Sequence, residues 1–262
     1  MDDVNELQRN GGVGLCMILR STIEPPDFEA LADLVKKEFG DTTSVSDNIC
    51  SFESDACNVF WTFLPAPVPD NEATQAAQAN LYFPDGENLV SAHKSHIIVV
   101  ASYGEWGSPL DAITQTTRAT HLFLKSDPES IGVYWGNGSI TNSAEFFDSA
   151  ATDMTDENLP LMLWIRFQLD RLEEKVRLYT VGMNQFGCKE LETRPSNWDP
   201  AHLMGFAYNI ANYLLLSGAE LGDGDTIGGS PEERIKVVHA SSSYFPDRDV
   251  YQIQLPESPE HD

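Results

Sequence analysis

The chain has 262 residues, of which 41% are hydrophobic, 10% aromatic and 22% charged. That is ordinary globular usage, with enough length for one large core or two small ones. Lys plus Arg number 16 against 41 Asp plus Glu, a formal net charge of −25, which repels nucleic acid and anionic membranes and attracts basic partners. The excess is not an acidic tail, because residues 1–104 hold 16 acids and 5 bases and residues 105–262 hold 25 and 11.

In chain order, VGLCMIL (13–19) reads as a buried strand. PPDFEALADLVKKEFG (25–40) then places Phe28, Leu31, Leu34, Val35 and Phe39 on one helical face, with Pro25 and Pro26 before the start and Gly40 at the C-cap. Residues 44–52 and 58–68 read as strands joined by an acidic turn, the second ending at Pro65 and Pro67. The alanine-rich stretch 71–80 carries no assignment, 85–95 reads as a helix and HIIVVASY (96–103) as a buried strand. After the punctuated loop YGEWGSP (103–109) come a helix (109–126), a strand (131–136), a helix (141–151), strands (159–170 and 174–183) and a helix (200–218). Two strands close the chain at 234–240 and 248–255.

The expected fold class is α+β. The order β-α-β-β-α-β occurs twice, predicting two ferredoxin-like halves at 1–104 and 105–262, each an antiparallel sheet with helices on one face. The start MDDVNELQRN lacks a basic segment followed by an apolar run, and no apolar stretch is long enough to span a bilayer. Four cysteines without a CxxC spacing fit reduced thiols in a cytoplasmic protein.

Several stretches taken together are familiar: LPAPVP (64–69), AHKSHIIVV (92–100), GVYWG (132–136), YTVGMNQFGCKELE (179–192) and DGDTIGGSPEERIKV (223–237). As a set they resemble the bacterial domain-of-unknown-function family 4261, over about residues 58–255. The resemblance implies a bacterial cytoplasmic α+β protein of a kind sometimes encoded among toxin and immunity genes, and it brings no catalytic residues with it.

Candidate sites follow from residue type and spacing. His93 and His96, three apart in HKSH, would share a helical face and could begin a metal site, with His121 as a third ligand. Helix-terminal histidines more often cap carbonyls. Glu190 and Glu192, at strand spacing, would project to one face and could share general acid and base work, although a solvated strand face is the commoner use. Glu220, Asp223 and Asp225 gather in ELGDGDTIG, too short for an EF-hand and rich in turn residues, where a basic group of a partner could dock. Trp106 in the loop between the halves is a candidate exposed anchor, whereas Trp135, Trp164 and Trp198 read as core.

Nucleophile-elbow, P-loop and dinucleotide-binding signatures are missing, and no cofactor is called for. The sequence favours an acidic intracellular binding protein, such as an immunity protein neutralising a basic toxin or effector. An enzyme using Glu190, Glu192, His93 and His96 in a cleft, and an oligomer-forming scaffold, are the alternatives.

Overall fold

The computed structural model describes residues 13–40, 43–103, 107–228 and 233–256. The chain is a mixed α+β protein of two compact units, Met1–Leu163 and Trp164–Asp262. They part at 163/164 and not at the expected 104/105.

The first unit contains β1 (Val13–Arg20), α1 (Phe28–Phe39), β2 (Thr43–Ser46), β3 (Ile49–Glu53), β4 (Cys57–Leu64), α2 (Glu72–Gln78), α3 (Gly86–Val90), β5 (Ser95–Tyr103), α4 (Pro109–Ser126), β6 (Ser130–Trp135), β7 (Ile140–Ser143) and α5 (Ala144–Thr152). Its seven-stranded sheet has the order β2-β3-β4-β5-β1-β6-β7, every pair antiparallel. A ferredoxin-like half would set its first strand inside the antiparallel sheet between its third and fourth strands, here β4 and β5, whereas β4 pairs directly with β5. Here β1 lies between β5 and β6 and runs antiparallel to both. The helix α1 carries the chain to the sheet edge, from which three antiparallel steps lead back to β5. The strand β6, expected in a second half, and β7, which occupies the start of the expected helix 141–151, extend this same sheet, so the repeated element order does not correspond to repeated domains.

Helices cover both faces of the sheet, not one. On one face α4 packs where Cys16 meets the Thr120 hydroxyl at 3.0 Å and the Trp61 indole donates to the Ala119 carbonyl. A side chain at Gly14 would overlap Thr116 and the Ala112 carbonyl, so glycine sets the closeness of β1 to α4. On the other face Leu19 and Tyr134 pack against Ala73, Ala76, Ala77, Phe83 and Val90 of the α2–α3 segment. At the end of α4, Arg20 (2% exposed) donates two 2.8 Å hydrogen bonds to Asp127. The Glu24 carbonyl accepts from the same guanidinium, and Ser130 donates to Asp127, so this buried pair is satisfied on both sides.

The second unit contains β8 (Arg166–Leu172), β9 (Lys175–Val181), β10 (Leu191–Thr193), α6 (Pro200–Ser217), β11 (Thr226–Ile227), β12 (Ile235–Ser241) and β13 (Asp249–Gln254). The sheet order is β11-β12-β13-β10-β9-β8, antiparallel except for the parallel pair β10–β13. Asp199 caps α6 by accepting from the backbone N–H groups of Ala201 and His202, and Gly218 ends it at φ 63°, donating to the Leu214 carbonyl. The helix packs on the apolar face of the sheet, where Phe167 meets Tyr208, and the opposite face is polar.

Candidate functional site

The expected acid–base pair is buried. Glu190 is 3% exposed, and its carboxylate accepts from the Thr180 hydroxyl at 2.7 Å and from the backbone N–H groups of Gly182, Met183 and Asn184 at 2.8, 3.2 and 3.3 Å. Gly182 makes this possible: its φ of 117° turns successive N–H groups inward as a concave anion receptor at the start of the Met183–Phe186 turn. Glu192, 2% exposed, accepts from the Ser242 hydroxyl and the Ser243 N–H and so ties down a different loop. Both carboxylates are spent on backbone and hydroxyl donors, whereas a general base needs a lone pair facing a substrate.

His93 and His96 are buried in the first unit and hold one segment between them. His93 accepts from the Val68 N–H through Nε2 at 2.8 Å, which assigns the Nδ1 proton to its 2.6 Å bond with the Val90 carbonyl. The His96 Nδ1 lies 2.7 Å from the Ala66 carbonyl. Burial holds the His96 pKa below the usual imidazole value, against the pull of that carbonyl. His121, the expected third ligand, lies 2.9 Å from Asp148 instead, a close approach without good hydrogen-bond alignment. Its pKa is lowered first by burial and then by Lys125, with Asp148 opposing. Among the described residues no three His, Cys, Asp or Glu side chains are arranged to hold a metal ion.

The acidic run after α6 is a built turn that walls a groove. Gly224 adopts φ 91°, Asp225 accepts from the Gly222 N–H at 2.6 Å, and Asp223 accepts from the His239 N–H at 2.9 Å. Asp223 therefore fastens the turn to β12, while Glu220 and Asp225 line the groove. The groove, about 700 Å³, has an apolar floor of Phe206, Ile210, Tyr213, Leu221 and Ile227, and Glu233 and Arg234 complete its rim. Tyr213 is 55% exposed and Leu216, one turn of helix away, 43%. Phe206, Ile210 and Tyr213 follow helical spacing in the sequence, which marks them as one face of α6 but not as a groove. Trp106, the expected anchor, lies outside the described residues, and Trp135, Trp164 and Trp198 are buried as expected.

The polar face of the second sheet was not singled out by the sequence. Arg166, Gln168 and Asp170 of β8 stand opposite Val181, Tyr179 and Arg177 of β9, and Glu192 is paired with Tyr179. A loop folds onto this face: Tyr244 stacks on Tyr179 with ring centroids 3.7 Å apart and donates to Asp170 at 2.9 Å. Arg177 also reaches Asp170, at 3.2 Å, and its guanidinium lies 4.5 Å from the Tyr244 ring centroid. Burial, followed by the hydrogen bond to Asp170, pushes the Tyr244 pKa well above the usual phenol value. The visible signal was the period-2 alternation of Arg166, Gln168 and Asp170.

Among the described residues no helix is long and apolar enough to cross a membrane. No curated protein and no solved structure is matched by the chain. Residues 179–254, which run from β9 to the end of β13 and include the nest around Glu190 and the wall of the groove, match the family described as a domain of unknown function, DUF4261.

Proposed function

We propose that the chain is a binding protein whose groove beside α6 receives a basic segment of a partner protein, anchored by an apolar side chain. The observation that carries this reading is the groove itself: an apolar floor ending at the exposed Tyr213, beside the carboxylates of Glu220, Asp225 and Glu233. An aromatic at the edge of an apolar pocket supplies anchoring area, and carboxylates at the rim select the sign of the partner's charge. The net charge of −25 steers cations toward the molecule and speeds encounter at low salt. A basic toxin or effector neutralised by an immunity-type protein is the partner class that fits this charge. Four free thiols, at Cys16, Cys50, Cys57 and Cys188, suit a reducing, cytoplasmic setting.

The test uses a fluorescent amphipathic Lys/Leu peptide and its Glu/Leu counterpart, titrated by anisotropy at low and moderate salt. The basic peptide is expected to bind, to weaken with salt, and to lose about tenfold in affinity on Tyr213→Ala or Glu220→Gln. Equal binding of the two peptides, or binding unaffected by either substitution, would overturn the proposal.

A further inference from the structure

We propose that the face of the second sheet turned away from α6 binds a small oxyanion, a carboxylate or a phosphate, centred on Arg166. Strand register places Arg166, Lys175, Arg177 and Lys236 on this face. Arg194 joins them by donating to Gln252 on the same side at 2.9 Å. Five of the chain's 16 basic residues thus share one face of a strongly acidic protein. The two acids on the same face are already engaged, Asp170 with Tyr244 and Arg177, and Glu192 with Ser242 and Ser243.

Arg166 itself is unpaired. Half-buried at the start of β8, it has no carboxylate or hydrogen-bond partner for its side chain among the described residues, and its Nε–H is out of contact with solvent. The Arg177 Nε–H is likewise buried without an acceptor, although its Nη2 serves Asp170. A buried guanidinium donor left unmatched is destabilising, and an oxyanion presents the acceptor geometry that a guanidinium fork matches. Tyr179 lies diagonally across from Arg166 and its phenol can donate to a bound anion.

The size of the ligand follows from the loop. Tyr244 rests on Tyr179 and Asp170, in the middle of the face, so an extended partner cannot lie flat across the strands. A small anion can still reach Arg166 at the Val181 end of the β8–β9 pair. This surface lies on the side of the sheet opposite the α6 groove and selects the opposite charge, so the two readings stand or fall separately.

Calorimetry and thermal denaturation with sodium phosphate and with sodium succinate, each against sodium chloride at equal ionic strength, test the site on the full chain. At least one of the two anions is expected to bind and raise the melting temperature. Phosphate alone would assign a phosphate ligand, succinate alone a carboxylate. Arg166→Gln is expected to weaken binding about tenfold or more, while Lys37→Gln, exposed on α1 of the first unit, changes it by less than about twofold. Without ligand, Arg166→Gln is expected to melt no lower than the native chain, because it removes an unmatched charge. No binding of either anion beyond the chloride control, undiminished binding by Arg166→Gln, or a ligand-free Arg166→Gln protein that melts well below the native one would each overturn the proposal.

Discussion

Replacing Glu190 by alanine removes one carboxylate and strands four donors. Three of them, the Thr180 hydroxyl and the N–H groups of Gly182 and Met183, belong to buried residues, whereas Asn184 is exposed and water can replace its partner. At about 1–3 kcal/mol for each buried group left unmatched, with part recovered by water entering the vacated space, the expected cost is about 3–5 kcal/mol. With a urea dependence of about 1–2 kcal/mol/M, the unfolding midpoint of the second unit should fall by about 1.5–5 M. Glu190→Gln keeps the volume and one accepting oxygen but turns an amide NH2 toward donors, so about 2 kcal/mol is expected. Urea titration by circular dichroism gives the midpoint, and hydrogen exchange of the Gly182, Met183 and Asn184 amides reports the nest directly. An alanine variant within about 0.3 M of the native midpoint, with unchanged exchange at those amides, would refute the view that the carboxylate organises this turn.

Two further outcomes are expected in the first unit. His96 and His121 both have pKa values below the ordinary 6.5, so below that pH the unfolded chain binds protons that the folded chain does not. Stability is therefore full above about pH 6.5 and declines as pH falls through and below it; melting curves at pH 7.5 and 5.5 should show a decline that His96→Gln and His121→Asn each reduce, and an undiminished decline in both variants would exclude these residues. Arg20→Met leaves the buried Asp127 carboxylate without its cation and should cost about 3–5 kcal/mol in urea unfolding, while Arg20→Met/Asp127→Asn should be less destabilised than the two single changes added together. Simple additivity would mean that the pair is not coupled.

The elements easiest to read from the sequence were those with a strong period and firm punctuation. Pro109–Ser126 and Pro200–Ser217 begin with proline after a capping Ser108 or Asp199, and their extents agree with the expectation to within a residue. The helix α2 was missed because its buried stripe is Ala73, Ala76 and Ala77, with the right spacing but little hydrophobic contrast. The expected strand 44–52 is a hairpin bent at Asp47–Asn48, and the expected strand 159–170 has a helical turn at Leu161–Trp164 before β8. Short β-prone runs do not reveal such breaks. Strand order was not legible at all, because the place of β1 between β5 and β6 depends on long-range packing.

The same distinction governs the candidate site. The pairs His93/His96 and Glu190/Glu192 were visible as chemistry, but their partners are backbone groups of Ala66, Val68, Gly182 and Ser243, which have no side-chain signature. Glycines near residues 182 and 187 were the available hint, since both take positive φ around the turn that receives Glu190. The acids at 220–225 were correctly read as turn residues, yet the groove needs Phe206 and Ile210 from a preceding helix, a juxtaposition that exists only after α6 has folded back.

The parallel pairing of β10 with β13 also orders events during synthesis. The strand β13 occupies an interior position, between β10 and β12, although it is the last of the six strands to be made. Until residues 249–254 emerge, β10 and β12 each lack a neighbour, and α6 has only an incomplete sheet on which to settle. A nascent chain would pass through a stage with open strand edges and an uncovered apolar helix face, the stage at which aggregation or chaperone binding is most to be expected. The strand that completes the ladder therefore also ends that exposure.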